Sequence, residues 1–217
     1  NTWTLFDVNL DTQRIDEGTL ASGGNTTSFF GVENLIGGTN TDTFTFLTNS
    51  QISRSIDGGA GANALNLQAY ISSVTVQLTA LSSEIGFDGT TAGNPNPIGV
   101  GFANISNLVF NSSTATPGDK LIGLDDNANW DVGSATYTTA GEVLNYTIGT
   151  NDDLTGGAQT DTFDFQTVGG PTVRNIDGGG GVDTAAGSDV APTVWMITGA
   201  DSGTIQPGNS PLGGFVN

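Results

Sequence analysis

The 217-residue chain sets four basic residues (Arg14, Arg54, Lys120 and Arg174) against 22 acidic ones, for a formal charge of −18. That balance excludes nucleic acid and anionic membrane as partners, since both need clustered Lys or Arg. With no Cys and no His, the chain has no disulfide, thiol nucleophile, His-based triad or His/Cys zinc site.

Thirty-three glycines and only 7 prolines accompany abundant Thr, Asn and Ser and few helix formers. Alternating apolar and β-branched residues recur along the chain, so the expected class is all-β. No apolar run approaches the ~20 residues of a membrane helix. No leader pattern is present either, as expected of a mature or excised segment.

Taken in order, Asn1–Leu10 alternates as a strand, with Trp3, Leu5 and Val8 inward. Glu17-Gly-Thr-Leu20 follows, then a polar turn at Ser22–Thr27 and the apolar Phe29-Phe30. From Leu35 to Leu67 the chain reads turn, strand, turn, strand. Gly37, Gly38, Asp42, Thr43, Phe44 and Phe46 recur 119 residues later as Gly156, Gly157, Asp161, Thr162, Phe163 and Phe165. Ile56, Asp57, Gly58, Gly59 and Gly61 recur 120 later as Ile176, Asp177, Gly178, Gly179 and Gly181. This is an internal repeat.

Double glycines stand 21 residues apart at Gly37 and Gly58 and 22 apart at Gly156 and Gly178. A turn plus a strand returning at that interval matches one coil of a parallel β-solenoid. The expected fold is therefore a β-solenoid (β-helix) with a repeat of about 119 residues, with a β-sandwich as the alternative. Two related halves, about 1–116 and 117–217, make one domain spanning 1–217, with an insertion at 81–116 that the second half lacks. Within it, the Pro- and Gly-punctuated stretch Asp88–Pro97 reads as an exposed loop.

Period-2 spacing puts Phe44, Phe46, Leu65, Leu67, Phe163 and Phe165 in a stacked interior. One comparison joins the two ends. Pro117 to Trp130 is 14 residues, as is Pro207 through Asn217 and on from Asn1 to Trp3. Such cyclic similarity suits tandem repeats or head-to-tail stacking of copies, with Asn1, Trp3, Leu5, Leu212, Phe215, Val216 and Asn217 at the self-association interface.

Phe30-Gly-Val-Glu-Asn-Leu-Ile-Gly-Gly-Thr-Asn-Thr-Asp-Thr-Phe44, Ile56-Asp-Gly-Gly-Ala-Gly-Ala-Asn-Ala-Leu65 and Trp195-Met-Ile-Thr-Gly-Ala-Asp-Ser-Gly-Thr-Ile205 resemble the repeats of large bacterial extracellular adhesins and surface proteins. The resemblance implies a right-handed parallel β-solenoid serving as a stalk, matrix component or surface fibre, outside the cell or on its surface. The double-glycine loops are also similar to the RTX nonapeptide GGxGxDxUx, which cages Ca²⁺ between successive turns. That likeness makes Asp161, Asp183, Asp42 and Asn63 the candidate calcium ligands. The copies depart from the pattern: Asn63 replaces an Asp, Ala185 replaces a large apolar residue, and two loops lack the third glycine. Plain Asx turns, with each Asp bonding local backbone, are the reading that these departures favour.

Asp125-Asp126 and Asp152-Asp153 are the visible acidic pairs, and adjacent acids on a strand diverge, so no catalytic residue is assigned. Arg54 and Arg174, each two residues before Ile-Asp-Gly-Gly, are expected to brace Asp57 and Asp177, or turn carbonyls, and not to act in catalysis. The leading expectation is a non-enzymatic structural unit forming a fibre, stalk or matrix by tandem linkage or head-to-tail stacking. A calcium-dependent adhesin module binding carbohydrate or a cell surface ranks second, and a polysaccharide-degrading β-helix enzyme third.

Overall fold

Two strand patterns govern this molecule: short alternating strands that pair in parallel, and glycine-containing hairpins that pair antiparallel. The computed structural model describes residues 1–6, 15–111, 118–165, 173–189, 192–207 and 213–216. All of its regular elements are strands. The chain divides into two units, Asn1–Asn111 and Ser112–Asn217.

The first unit comprises β1 (Thr2–Leu5), β2 (Glu17–Ser22), β3 (Asn25–Phe30), β4 (Asn34–Gly38), β5 (Thr43–Leu47), β6 (Ser55–Gly59), β7 (Ala64–Ala69), β8 (Val74–Leu81), β9 (Phe87–Gly93), β10 (Gly101–Ile105) and β11 (Asn107–Val109). One sheet runs β11-β7-β5-β1-β2-β3 and the other β8-β9-β10-β6-β4. In the first, β11, β7, β5 and β1 are parallel and β1-β2-β3 is an antiparallel meander. In the second, β8-β9-β10 is the meander and β10, β6 and β4 are parallel.

The second unit comprises β12 (Lys120–Ile122), β13 (Ala128–Asp131), β14 (Thr136–Thr139), β15 (Glu142–Thr147), β16 (Asp153–Thr155), β17 (Asp161–Asp164), β18 (Asn175–Asp177), β19 (Thr184–Ala186), β20 (Thr193–Gly199), β21 (Ser202–Pro207) and β22 (Gly213–Val216). Its sheets run β19-β17-β13-β14-β15 and β20-β21-β22-β18-β16-β12. Strand for strand, β13–β22 repeats the pairing of β1–β10: a meander, four strands alternating between the sheets, then a second meander.

The β-solenoid expectation is corrected here. Each unit consists of two mixed sheets with non-sequential strand order, a two-layer, sandwich-like packing. The 21- and 22-residue spacings do appear as parallel register, Phe44 against Leu65 and Leu154 against Ile176. These ladders are short, however, and each ends in a meander that reverses the chain. A fibre or stalk built by stacking solenoid coils loses its basis with the coil.

The reason for the reversals is steric. In three meanders the middle strand carries a glycine between an aliphatic residue and a phenylalanine: Leu5–Gly18–Phe29, Leu78–Gly89–Phe102 and Ile197–Gly203–Phe215. A Cβ at Gly18, Gly89 or Gly203 would meet the Phe ring of the third strand, so the ring lies over the bare backbone. The fourth meander has no glycine in its middle strand; across it Trp130, Tyr137 and Leu144 stand opposite one another, all buried.

The stretch 81–116, read above as an insertion, holds β9 and β10, the counterparts of β21 and β22. Asp88–Gly93 lies in β9 and so is strand, not exposed loop. Residues 112–116 lie outside the described residues.

Phe44, Phe46 and Leu65 are fully buried, Leu67 and Phe163 nearly so, and Phe165 is half-buried just beyond β17. Gly89→Ala should therefore lower the urea midpoint by an amount corresponding to about 1–3 kcal/mol, because the added methyl displaces the Phe102 ring. At the open turn position Gly24, Asn should leave the midpoint within about 0.5 kcal/mol.

Candidate functional site

The four Asx residues singled out by the sequence come together in pairs, one in each unit. Asp42 precedes β5 and Asn63 precedes β7, both fully buried. Asp42 Oδ2 accepts the Gly38 amide at 2.9 Å, closing its own double-glycine turn. Its backbone N–H donates to Asn63 Oδ1 on the next rung, also at 2.9 Å. Asn63 Nδ2 donates to Gly59 O at 3.0 Å and to Asn104 O at 3.1 Å. Asp42 Oδ1 lies 3.2 Å from the Asn1 nitrogen.

The second unit repeats this ladder. Asp161 Oδ2 accepts the Gly157 amide at 2.9 Å, its Oδ1 accepts Trp130 Nε1–H at 3.1 Å, and its own N–H donates to Asp183 Oδ1 at 2.9 Å. These carboxylates converge on N–H donors. Calcium takes six to eight converging oxygens, whereas Asp42 Oδ2, both Asp161 oxygens and Asp183 Oδ1 accept N–H groups. Among the described residues no group of three or more His, Cys, Asp or Glu is placed to hold a metal.

One rung differs. Asn63 has an amide nitrogen to offer Gly59 O, whereas Asp183 has a second carboxylate oxygen, buried and without a hydrogen-bond partner. Asp183→Asn should therefore raise stability by about 1 kcal/mol, by supplying a donor where the first unit has one. Conversely, Asn63→Asp should lower it by about 1–3 kcal/mol, since its oxygen would face two carbonyls. Paired thermal melts check both signs.

The acidic pairs separate. Buried Asp152 accepts amides of Asp119 (2.7 Å) and Gly149 (2.5 Å), while Asp153 is gripped by Arg174 Nε (2.9 Å) and its terminal nitrogen (2.5 Å). Arg174 thus braces Asp153 and not Asp177, which accepts the Gly179 amide two residues on. Asp125 and Asp126 are exposed.

Burial pushes the Asp152 and Asp161 carboxyls up, outweighing the N–H donors that pull them down. A carboxyl raised in the folded state binds more protons than in the unfolded chain. Stability from these two groups therefore rises as pH falls through the raised value towards the unfolded value of about 3.9, and is lost again at higher pH. The urea midpoint should be higher at pH 5 than at pH 7, with a smaller difference in Asp161→Asn.

The expected interface residues fall in both units. Leu5 is fully buried; Trp3 is half-buried, stacked on Phe44 at 5.8 Å and edge-on to Phe29. The Asn1 nitrogen bonds Thr41 O within its own unit. Phe215 is half-buried against Trp195, and Val216 is 48% exposed. Leu212 and Asn217 lie outside the described residues, as do Val8 and Pro117.

A groove of about 290 Å³ opens in the second unit, lined chiefly by Phe163, Ala185, Ile176, Trp195, Ile197 and Phe215, with Asp183 at its side. By strand equivalence and register, Val76 and Leu78 of β8 correspond to Trp195 and Ile197 of β20. The first pair is 0% and 2% exposed, the second 40% and 67%. In the first unit β11 pairs with the outer edge of β7 and contributes buried Leu108, followed by buried Phe110. Among the described residues no strand pairs with the corresponding edge of β19. Sequence reasoning missed this groove, although Ala185 in place of Leu65 was its visible signal.

No family model, curated protein or solved structure matches the chain. The resemblance to adhesin and RTX repeats is therefore corrected: nothing in the comparisons supports membership, and the mixed sheets differ from the stacked parallel coils it implied.

Proposed function

We propose that this chain is a non-enzymatic, extracellular binding module that engages its partner through the open groove of its second unit. A single contrast carries the reading. The same strand position is sealed in one repeat and open in the other, where Trp195 and Ile197 reach solvent. Apolar side chains left at the surface around a concave site are the usual mark of a binding surface.

The acidic groups support a non-catalytic role. Asp42, Asp152 and Asp161 are occupied by backbone or indole N–H groups, and Asp153 by Arg174. General acid–base chemistry needs carboxyls free to meet a substrate. A strongly acidic, Asn- and Thr-rich composition is compatible with work outside the cell.

The test is retention on peptide and glycan arrays, with hydrolysis of the bound glycans followed by reducing-end release. Wild-type protein should be retained on at least one array without releasing reducing ends, and Ile197→Glu should lose at least tenfold of the signal. Retention unchanged by Ile197→Glu, no retention at all, or turnover of a glycan would each overturn this reading.

A further inference from the structure

From the outer face of the β7-β5-β1-β2-β3 strands, we infer that the first unit binds crystalline water: two rows of threonine and serine hydroxyls form an ice-binding surface. The face uses no residue of the groove, so this inference does not rest on the binding-module reading.

The rows follow from strand register. Alternation points Leu5, Phe44, Phe46 and Leu65 into the core and sends Thr2, Thr4, Thr43 and Thr45 to the opposite face. Parallel pairing sets Thr2 beside Thr43 and Thr4 beside Thr45. One row therefore reads Asn66, Thr45, Thr4, Thr19, Ser28 across five strands. The next reads Ala64, Thr43, Thr2, Ala21, Thr26. Thr2, Thr26 and Ser28 are exposed, and Thr4, Thr19, Thr43 and Thr45 partly so.

Strands ~4.8 Å apart, with alternate residues ~6.7 Å apart along each, place these groups on a two-dimensional grid. Both intervals are close to oxygen repeats of hexagonal ice. A threonine hydroxyl donates and accepts, as a lattice water does. Its methyl group restricts the orientations open to the water beside it. A ligand that repeats in two directions is the natural complement of such a grid.

Charge points the same way. The chain carries −18, yet neither row contains an ionised side chain. Glu17, the acid of β2, is buried. Ions and charged polymers find no partner on these rows, whereas solid water is neutral. The rows also hold no aromatic ring on which a sugar could stack.

Threonine on the solvent face of a strand is ordinary, so the second unit supplies the comparison. There Asp164 and Asp131 take the places of Thr45 and Thr4, side by side in the same parallel register. Adjacent carboxylates orient water around their charge and break the neutral row. The hydroxyl grid is thus a property of the first unit, not of the repeat.

The probe is ice itself. A single crystal is grown slowly from a solution of the full chain, and protein in the ice and in the remaining liquid is measured by Trp fluorescence after melting. Wild-type protein should enter the ice at least fivefold more than Thr45→Lys or Ser28→Lys, the second at a fully exposed position. Thr162→Lys, at the place equivalent to Thr43, and Ile197→Glu, in the groove, should stay within twofold of wild type. Far-ultraviolet circular dichroism should be the same for all five proteins.

Exclusion of the wild-type chain from ice, entry undiminished by Thr45→Lys and Ser28→Lys, or an equal loss in Thr162→Lys would overturn the proposal. Retention on crystalline cellulose or chitin that Thr45→Lys abolishes, without entry into ice, would assign the face to a glycan and overturn it too. Failure of the array test with entry into ice intact would remove the groove reading and leave this one standing.

Discussion

The interaction on which each unit depends is the hydrogen bond from the backbone N–H of one Asx residue to the side-chain oxygen of the next, Asp42 to Asn63 and Asp161 to Asp183. Each such bond is worth about 1 kcal/mol net, but its position gives it more influence than its energy. It sits where a double-glycine turn hands over to a strand, so it fixes which residues of β5 and β7, or β17 and β19, stand opposite one another. A slip of one residue would turn Phe44 and Phe46 to solvent and expose polar threonines to the core. Register, burial and turn geometry are thereby set by one side chain per rung.

Parts of this arrangement were legible in the sequence. Thr43-Phe-Thr-Phe-Leu47 and Ala64-Leu-Asn-Leu67 declare their inward faces by alternation alone, and burial follows that alternation. The interval between double glycines pointed to the parallel partners. The hairpins were not legible, because Gly18, Gly89 and Gly203 each sit in the middle of a strand, where glycine ordinarily signals a turn or a bulge. The shared triplets Glu17-Gly-Thr19, Asp88-Gly-Thr90 and Ser202-Gly-Thr204 were on view in the chain. Their meaning depends on a phenylalanine 11 to 13 residues further on, which no local pattern announces. With Asp88-Gly-Thr90 read as loop and the other two triplets given no pairing, the double-glycine interval alone decided the fold, and a mixed sheet was read as a coil.

The candidate site was hidden for a related reason. A repeat invites the assumption that equivalent positions have equivalent surroundings. The exchange of Leu65 for Ala185 and of Asn63 for Asp183 changes little in pattern but reverses two physical properties: the volume filled beside the rung, and the direction in which the rung hydrogen-bonds. Aspartate at 183 looked like a better metal ligand than asparagine at 63. In the folded chain its second oxygen is buried without a hydrogen-bond partner.

The meanders also divide each unit by distance along the chain. β2 and β3 meet across a turn of two residues, and β14 and β15 likewise, whereas Phe44 waits for Leu65, 21 positions later. Closing a short loop costs less entropy than closing a long one and takes less time. In every case one outer strand of a meander is also the first rail of a parallel ladder: β1 for β5, β10 for β6, β13 for β17 and β22 for β18. The nearby contacts thus form a template on which the distant strands land, and the chain need not search for long-range pairings between two unformed partners.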